Sequence, residues 1–239
     1  MLSEIKKISS LLLSVAFSSI GFIASITVTV LAAREVSSNP LFVGFPNAVG
    51  VGGAVLGTRM IYLISKNNSQ LNALAFTFLI GAFGGAIMFY SLIVDSFVLL
   101  LFGAFILGIG QSATLQTRYA ASFVASEKFK ATALSLAVWF SVFGSVFGPR
   151  MVGSYSNFFE NIFNSELIVG YVIALVGMLF AASSLFIFTS KKSILRNPSN
   201  LESGLNNQNS NKKNGNLLSL LLVLNHFTMV VIMSATPLH

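Results

Sequence analysis

Seven stretches of this chain are apolar for about 20 residues or more: 8–33, 41–64, 72–94, 97–121, 131–153, 167–189 and 217–238. The hydrocarbon core of a bilayer is about 30 Å thick and a helix rises about 1.5 Å per residue, so each stretch is long enough to cross it. In lipid the backbone must satisfy its own hydrogen bonds, which makes each crossing a helix. Only 9% of the residues are charged and 54% are hydrophobic, whereas a soluble domain carries about 25% charged residues. The fold class is therefore all-α integral membrane, and its first partner is the lipid bilayer.

Lysine and arginine set the orientation, because cytoplasmic flanks collect them. With the N-terminus inside, the inner flanks hold Lys6, Lys7, Arg59, Lys66, Arg118, Lys128, Lys130, Lys191, Lys192, Arg196, Lys212 and Lys213, leaving Arg34 and Arg150 outside. Four acids, Glu35, Asp95, Glu160 and Glu166, fall on the outer side. The net charge of +7 is thus a topological signal, and no nucleic-acid partner is expected. The first apolar stretch is too long and too rich in serine for a cleavable signal peptide. The chain has no cysteine, which removes disulfides, thiolate nucleophiles and thiolate metal sites.

Most connections are short, so successive helices run antiparallel. Residues 190–216, rich in asparagine and lysine, have little to bury and read as a flexible basic cytoplasmic linker. Three parts follow: a six-helix bundle over 1–189, the linker over 190–216, and a seventh helix over 217–239, which reads as the start of a second bundle. Within the six, the first and fourth helices carry polar stripes. The second and fifth carry glycine stripes, and the third and sixth are apolar with small notches. Helices one to three thus repeat in four to six, and an odd repeat enters the membrane inverted.

Polar stripes face lipid only at a cost, so they are expected to line a shared interior. The candidates for a solute cavity are Ser18 and Ser25 on the first helix and Gln111, Thr114 and Arg118 on the fourth. Gln111 can contact a solute or bond a neighbouring helix. Arg118 lies nearer the inner surface, where snorkelling or clamping a loop is its first reading and a solute contact its second. Asn225 and His226 sit near the middle of the seventh stretch, and a histidine at that depth can carry a proton or stay neutral in a hydrogen bond. No carboxylate lies mid-membrane, so the sequence does not support coupling to H+.

The fifth helix contains "VWFSVFGSVFGPRMVG", residues 138–153. Gly144 and Gly148, four apart, let another helix approach closely. Pro149 withholds a donor from the carbonyl of Ser145, which predicts a bend. Arg150 marks the outer boundary, and Gly153 closes the small-residue series. A closely packed, bent helix suits gating between two moving bundles.

"GSVFGPRMVG", Gly144 to Gly153, resembles the fifth-helix Gly-x-x-x-Gly-Pro motif of the major facilitator superfamily, in its drug-efflux and antiporter members. "LGIGQSATLQTRYAA" is similar to the fourth helix of prokaryotic members, and "MSATPLH" to the outer end of their seventh. The resemblance implies a six-helix bundle with a three-plus-three inverted repeat and one further helix. It also implies secondary transport of small molecules, drug-like or metabolite-like, by alternating access in the direction of efflux, at the cell membrane. One departure is marked. In the family's loop between helices two and three, aligned on Gly57, an aspartate is usual where this chain has Ile61. The sequence stops where similar chains continue into an eighth helix. It is therefore expected to be a truncated transporter, completed by a missing C-terminal half or by a partner copy.

Enzyme motifs are missing: no His-x-x-x-His pair, no Gly-x-Ser-x-Gly elbow and no phosphate-binding loop. No catalytic residue, cofactor or metal is expected. A seven-helix receptor or sensor has the same span count, but the opposite orientation and a lysine in its seventh helix when it holds retinal. A small-molecule channel, or a fragment that assembles with a partner without transporting, completes the alternatives.

Overall fold

A computed structural model describes residues 2–37, 42–67, 69–163 and 165–189. The expectations for the linker and the seventh helix lie outside the described residues. Six helices follow one another: α1 (Leu2–Val36), α2 (Phe45–Asn67), α3 (Gln70–Ile93), α4 (Phe97–Val124), α5 (Lys130–Phe163) and α6 (Ile168–Thr189), with one 3-10 turn, Glu127–Phe129, before α5. All six are long and apolar enough to span a membrane, and there is no strand among the described residues.

Five helices coincide with their apolar stretches to within a few residues or a turn or two at an end. The fifth is different. α5 runs on to Phe163 and continues through Pro149. A proline removes one hydrogen bond, and neighbouring helices tolerate that in a membrane. Beyond Gly153, "SYSNFFENIF" has no breaker of its own, and Phe159 packs onto the core together with Val152. The apolar count ended the span at 153 because it registers hydropathy, whereas helix persistence depends on the next breaker.

The bundle is organised by exchange of partners. α1 packs chiefly against α5 and α6, and α4 chiefly against α2 and α3; α3 also meets α6, and α1 meets α4. Swapping α1 for α4, α2 for α5 and α3 for α6 reproduces this scheme, as the three-plus-three repeat requires. Lipid tails are as apolar as leucine, so helices associate through packing and polar contact, and small residues at the crossings permit it.

The crossings are built from glycine in both halves. A Cβ on Gly53 or Gly108 would overlap the backbone of the facing helix, at Phe105 and Gly50 respectively. In the other repeat a Cβ on Gly144 would lie 2.6 Å from the carbonyl carbon of Ser19. One turn on, a Cβ on Gly148 would lie 3.1 Å from the nitrogen of Ala24 and from the carbonyl oxygen of Ile20. Gly53 and Gly57 thus do for α4 what Gly144 and Gly148 do for α1. Gly81 meets Gly110 between α3 and α4, and Gly177 meets Phe17 and Gly21 between α6 and α1. The large core side chains, Phe78, Leu71 and Leu74 of α3 and Tyr171, Met178 and Leu185 of α6, are fully buried or nearly so.

Two helices are set apart. The most apolar windows of α1, α3, α4 and α6 are 50% to 56% buried, and those of α2 and α5 only 22%. Their outward faces carry Val55, Leu56, Tyr62 and Leu63 on α2 and Trp139, Val146 and Phe147 on α5.

Substituting Gly144 or Gly108 by alanine is expected to lower stability by about 1–3 kcal/mol, the usual penalty of overpacking. Gly153 has open space around it, so Gly153→Ala is expected to be neutral. Thermal denaturation of the three variants in detergent reads this directly. Equal midpoints for Gly144→Ala and Gly153→Ala would contradict the crossing geometry.

Candidate functional site

The polar stripes of α1 and α4 look alike in sequence and differ in the fold. On α1, Ser14 Oγ donates to the Ala181 carbonyl of α6 at 2.9 Å and shares a 2.6 Å hydrogen bond with Ser184 Oγ. Gly21 lies against Ala174. Tyr171 of α6 donates a long 3.5 Å bond to Thr29 Oγ1, and Thr29 in turn donates to the Ser25 carbonyl at 2.7 Å. This side of α1 is the seam with α6.

Ser18 and Ser25 are both buried. Ser18 donates to the Val15 carbonyl at 3.3 Å and Ser25 to the Phe22 carbonyl at 2.7 Å. Both hydroxyls are committed to their own helix. Ser19 is buried beside Gly144, and its hydroxyl has no hydrogen-bond partner among the described residues.

On α4 the pattern is different. Gln111 and Arg118 are half-buried and Thr114 is buried. Their spacing of three and four residues places them on one helix face. Thr114 Oγ1 and Arg118 Nε are buried atoms with no hydrogen-bond partner among the described residues. Ser112 and Thr117, beside the stripe, return their hydroxyls to the carbonyls of Ile109 and Ala113, both at 2.7 Å. Buried unpartnered hydroxyls also occur singly at Ser10, Ser19 and Ser165, but only on α4 do two such groups, Thr114 and Arg118, share one helix face with a charge among them.

The fifth-helix motif divides as well. Gly144 and Gly148 are buried against α1, inside the six-helix unit. Pro149, Arg150 and Gly153 are exposed, and Gly153 takes no part in the seam. Asn225 and His226 lie outside the described residues.

Sequence reasoning missed the Ser14–Ser184 pair and the Tyr171–Thr29 contact. Both depend on which face of α6 turns towards α1, and the notch at Gly170, Ala174, Gly177 and Ala181 marks that face. A shallow groove between α3 and α6, lined by Leu79, Val176, Leu179, Phe180 and Phe186, is almost entirely apolar and contains none of the candidate residues. It suits an acyl chain better than a polar solute.

Two known proteins are similar to this chain in sequence. The chain is 28% identical over 237 residues, 95% of its length, to an uncharacterized MFS-type transporter, YdeG, of Bacillus subtilis (strain 168), of which the match covers 55%. It is 28% identical over an alignment of 245 positions, 98% of its length, to a second uncharacterized MFS-type transporter of that organism, YddS, of which the match covers 56%. The chain spans about half the length of the curated relatives it matches. No family model matches it, and no solved structure matches it significantly. With six membrane-capable helices and two such relatives matched over nearly its whole length, the chain is a homologue of the MFS-type, that is major facilitator-type, membrane transporters.

Proposed function

We propose that this chain supplies the first six-helix bundle of a secondary transporter that moves small solutes by alternating access, without chemistry on the solute. The observation that carries this reading is the match, over 95% of the chain, to a protein named as a transporter. The α4 stripe supports it, because Gln111, Thr114 and Arg118 offer a solute polar groups that the bundle leaves unused. The outward faces of α2 and α5 support a further bundle packed beside them, either a C-terminal half or a second copy. Asn225 and His226, on the seventh stretch, would then face the solute from that second bundle. Efflux is the direction that the Gly-x-x-x-Gly-Pro resemblance favours. The carboxylates on the described membrane helices, Glu4, Glu35 and Glu160, lie near helix ends, so we assign no proton coupling to this bundle.

The distribution of basic residues supports an inside N-terminus at the cell membrane, with residues 190–216 cytoplasmic. The chain has no cysteine, so single cysteines report sidedness without background. Lys128, in the turn before α5, and Asn161, in the last turn of α5, are both exposed and lie near opposite ends of that helix. A membrane-impermeant maleimide on intact cells is expected to label Asn161→Cys and to reach Lys128→Cys only after permeabilisation. The reverse pattern would invert the topology.

Gly148 tests the transport reading itself. A leucine there would press on the backbone of Ala24 and Ile20 and separate α5 from α1, whereas alanine requires a shift of only a few tenths of an ångström. Cells producing the wild-type chain are assayed for flux with a panel of labelled organic acids, neutral solutes and cationic dyes. Gly148→Leu is expected to reduce that flux at least tenfold while still inserting, and Gly148→Ala to retain it. Wild-type flux in Gly148→Leu overturns the role given to this crossing.

A further inference from the structure

Among the buried threonines, one behaves differently. Thr29, Thr77 and Thr117 each donate to the carbonyl four residues back, at 2.7, 2.8 and 2.7 Å. Thr114 has the same kind of carbonyl available, at Gly110, and does not use it. Threonine divides between two rotamers in a helix according to whether that back-bond forms, so the Thr114 hydroxyl is turned elsewhere and buried without a partner among the described residues.

Arg118 lies one turn further along the same face, about 6 Å up the axis, and Gln111 one turn the other way, about 10 Å from Arg118. With α4 centred in a core about 30 Å thick, Arg118 falls inside the hydrocarbon region and Gln111 close to its midplane. α4 packs against α1, α2, α3 and α5, so this is an interior helix. The guanidinium makes no ion pair among the described residues. Glu127, the acid nearest in sequence, is held by Lys130 at 2.7 Å, and Glu35 and Glu160 belong to other helices.

We infer that Arg118, Thr114 and Gln111 form the binding line for a monoanionic organic solute, a carboxylate that carries hydroxyl or amide groups on its tail. The guanidinium fork matches the two oxygens of a carboxylate. Thr114 and Gln111 both donate and accept, so they recognise neutral polar groups at about 6 Å and about 10 Å from the anion. One cation balances one negative charge, and a dianion would keep an uncompensated charge at low dielectric. A cationic solute would meet Arg118 with no carboxylate on this face to offset it. A lipid headgroup stays at the interface, whereas this line reaches the midplane, which favours a soluble carboxylate. The inference rests on the transport reading only for how the solute reaches the site.

The test is a thermal shift on the full chain in uncharged detergent at fixed ionic strength, with lactate and gluconate as probes and lactamide and choline as neutral and cationic controls. The wild-type midpoint is expected to rise with the hydroxycarboxylates alone. Arg118→Gln should abolish the shift, and Thr114→Val should weaken apparent affinity several-fold without lowering the unliganded midpoint. Arg118→Lys, which keeps the charge and loses the fork, should weaken it about tenfold, and it serves if Arg118→Gln does not fold.

The inference is overturned if no carboxylate shifts the midpoint, if the controls shift it equally, or if the shift survives Arg118→Gln. It is also overturned if only anionic lipid vesicles stabilise the protein and soluble carboxylates fail to compete, since the arginine then serves a headgroup. Binding and flux separate the two readings. Arg118-dependent binding without flux retains the site and sinks transport. Flux of a neutral or cationic solute unchanged in Arg118→Gln retains transport and sinks the site.

Discussion

Backbone approaches backbone at the helix crossings of this bundle, and the arrangement follows from that. In water, helices are driven together by hiding apolar surface; in lipid that drive vanishes, and what remains is dispersion at short range together with a few polar contacts. Dispersion falls steeply with distance, so a gap of 0.5–1 Å forfeits about a quarter to a half of it. Gly53 and Gly108 between α2 and α4, Gly144 and Gly148 between α5 and α1, Gly81 and Gly110 between α3 and α4, and Gly177 and Gly21 between α6 and α1 are placed where a methyl group would collide or press. They fix the partners, and with them the exchanged packing of the two repeats.

The sequence states the six described spans and the glycine stripes almost completely, because both are one-dimensional patterns that survive without knowledge of neighbours. It states the polar stripes only by halves. Ser14, Ser18, Gly21, Ser25 and Thr29 form as regular a face as Gln111, Thr114 and Arg118, yet α6 presents Ala181, Ser184 and Tyr171 to part of the first, and no comparable partner meets the second. Small hydroxyls can return to their own backbone, as Ser18 and Ser25 do. Thr114 on α4 makes no such return, so neither stripe regularity nor residue type separates packing contacts from binding capacity here. The extent of α5 beyond Gly153 was illegible for a different reason. Hydropathy ends where the membrane does, and helices do not.

Two of the four arginines on the described membrane helices, Arg150 and Arg118, illustrate the same distinction through energy. Arg150 is exposed, follows Pro149, and lies on an outward surface where a long side chain reaches the headgroups cheaply. Arg118 is half-buried on the interior helix, inside the hydrocarbon region but nearer the inner surface than the midplane, where an arginine costs less than at the helix centre, about 2.5–3.5 kcal/mol on insertion scales. The described residues offer no carboxylate in return. A half-buried charge without a partner among the described residues is a cost to the fold, and its place on the same face as an unbonded threonine is explained most simply by a ligand that completes it.

Lipid and protein are not equivalent solvents for the remaining surfaces. The outward faces of α2 and α5, with Leu56, Leu63, Val146 and Phe147, would be content against acyl chains or against a second bundle, since both offer the same apolar contact. Their exposure alone therefore does not choose between the two. The α4 line does choose. Acyl chains have no donors or acceptors for Gln111, Thr114 and Arg118, so this face requires water, a solute or protein beside it. A bundle with apolar faces indifferent to their neighbour and a polar line that is not indifferent has the elements of a solute path: surfaces free to slide, and one stripe that must be wetted or bound.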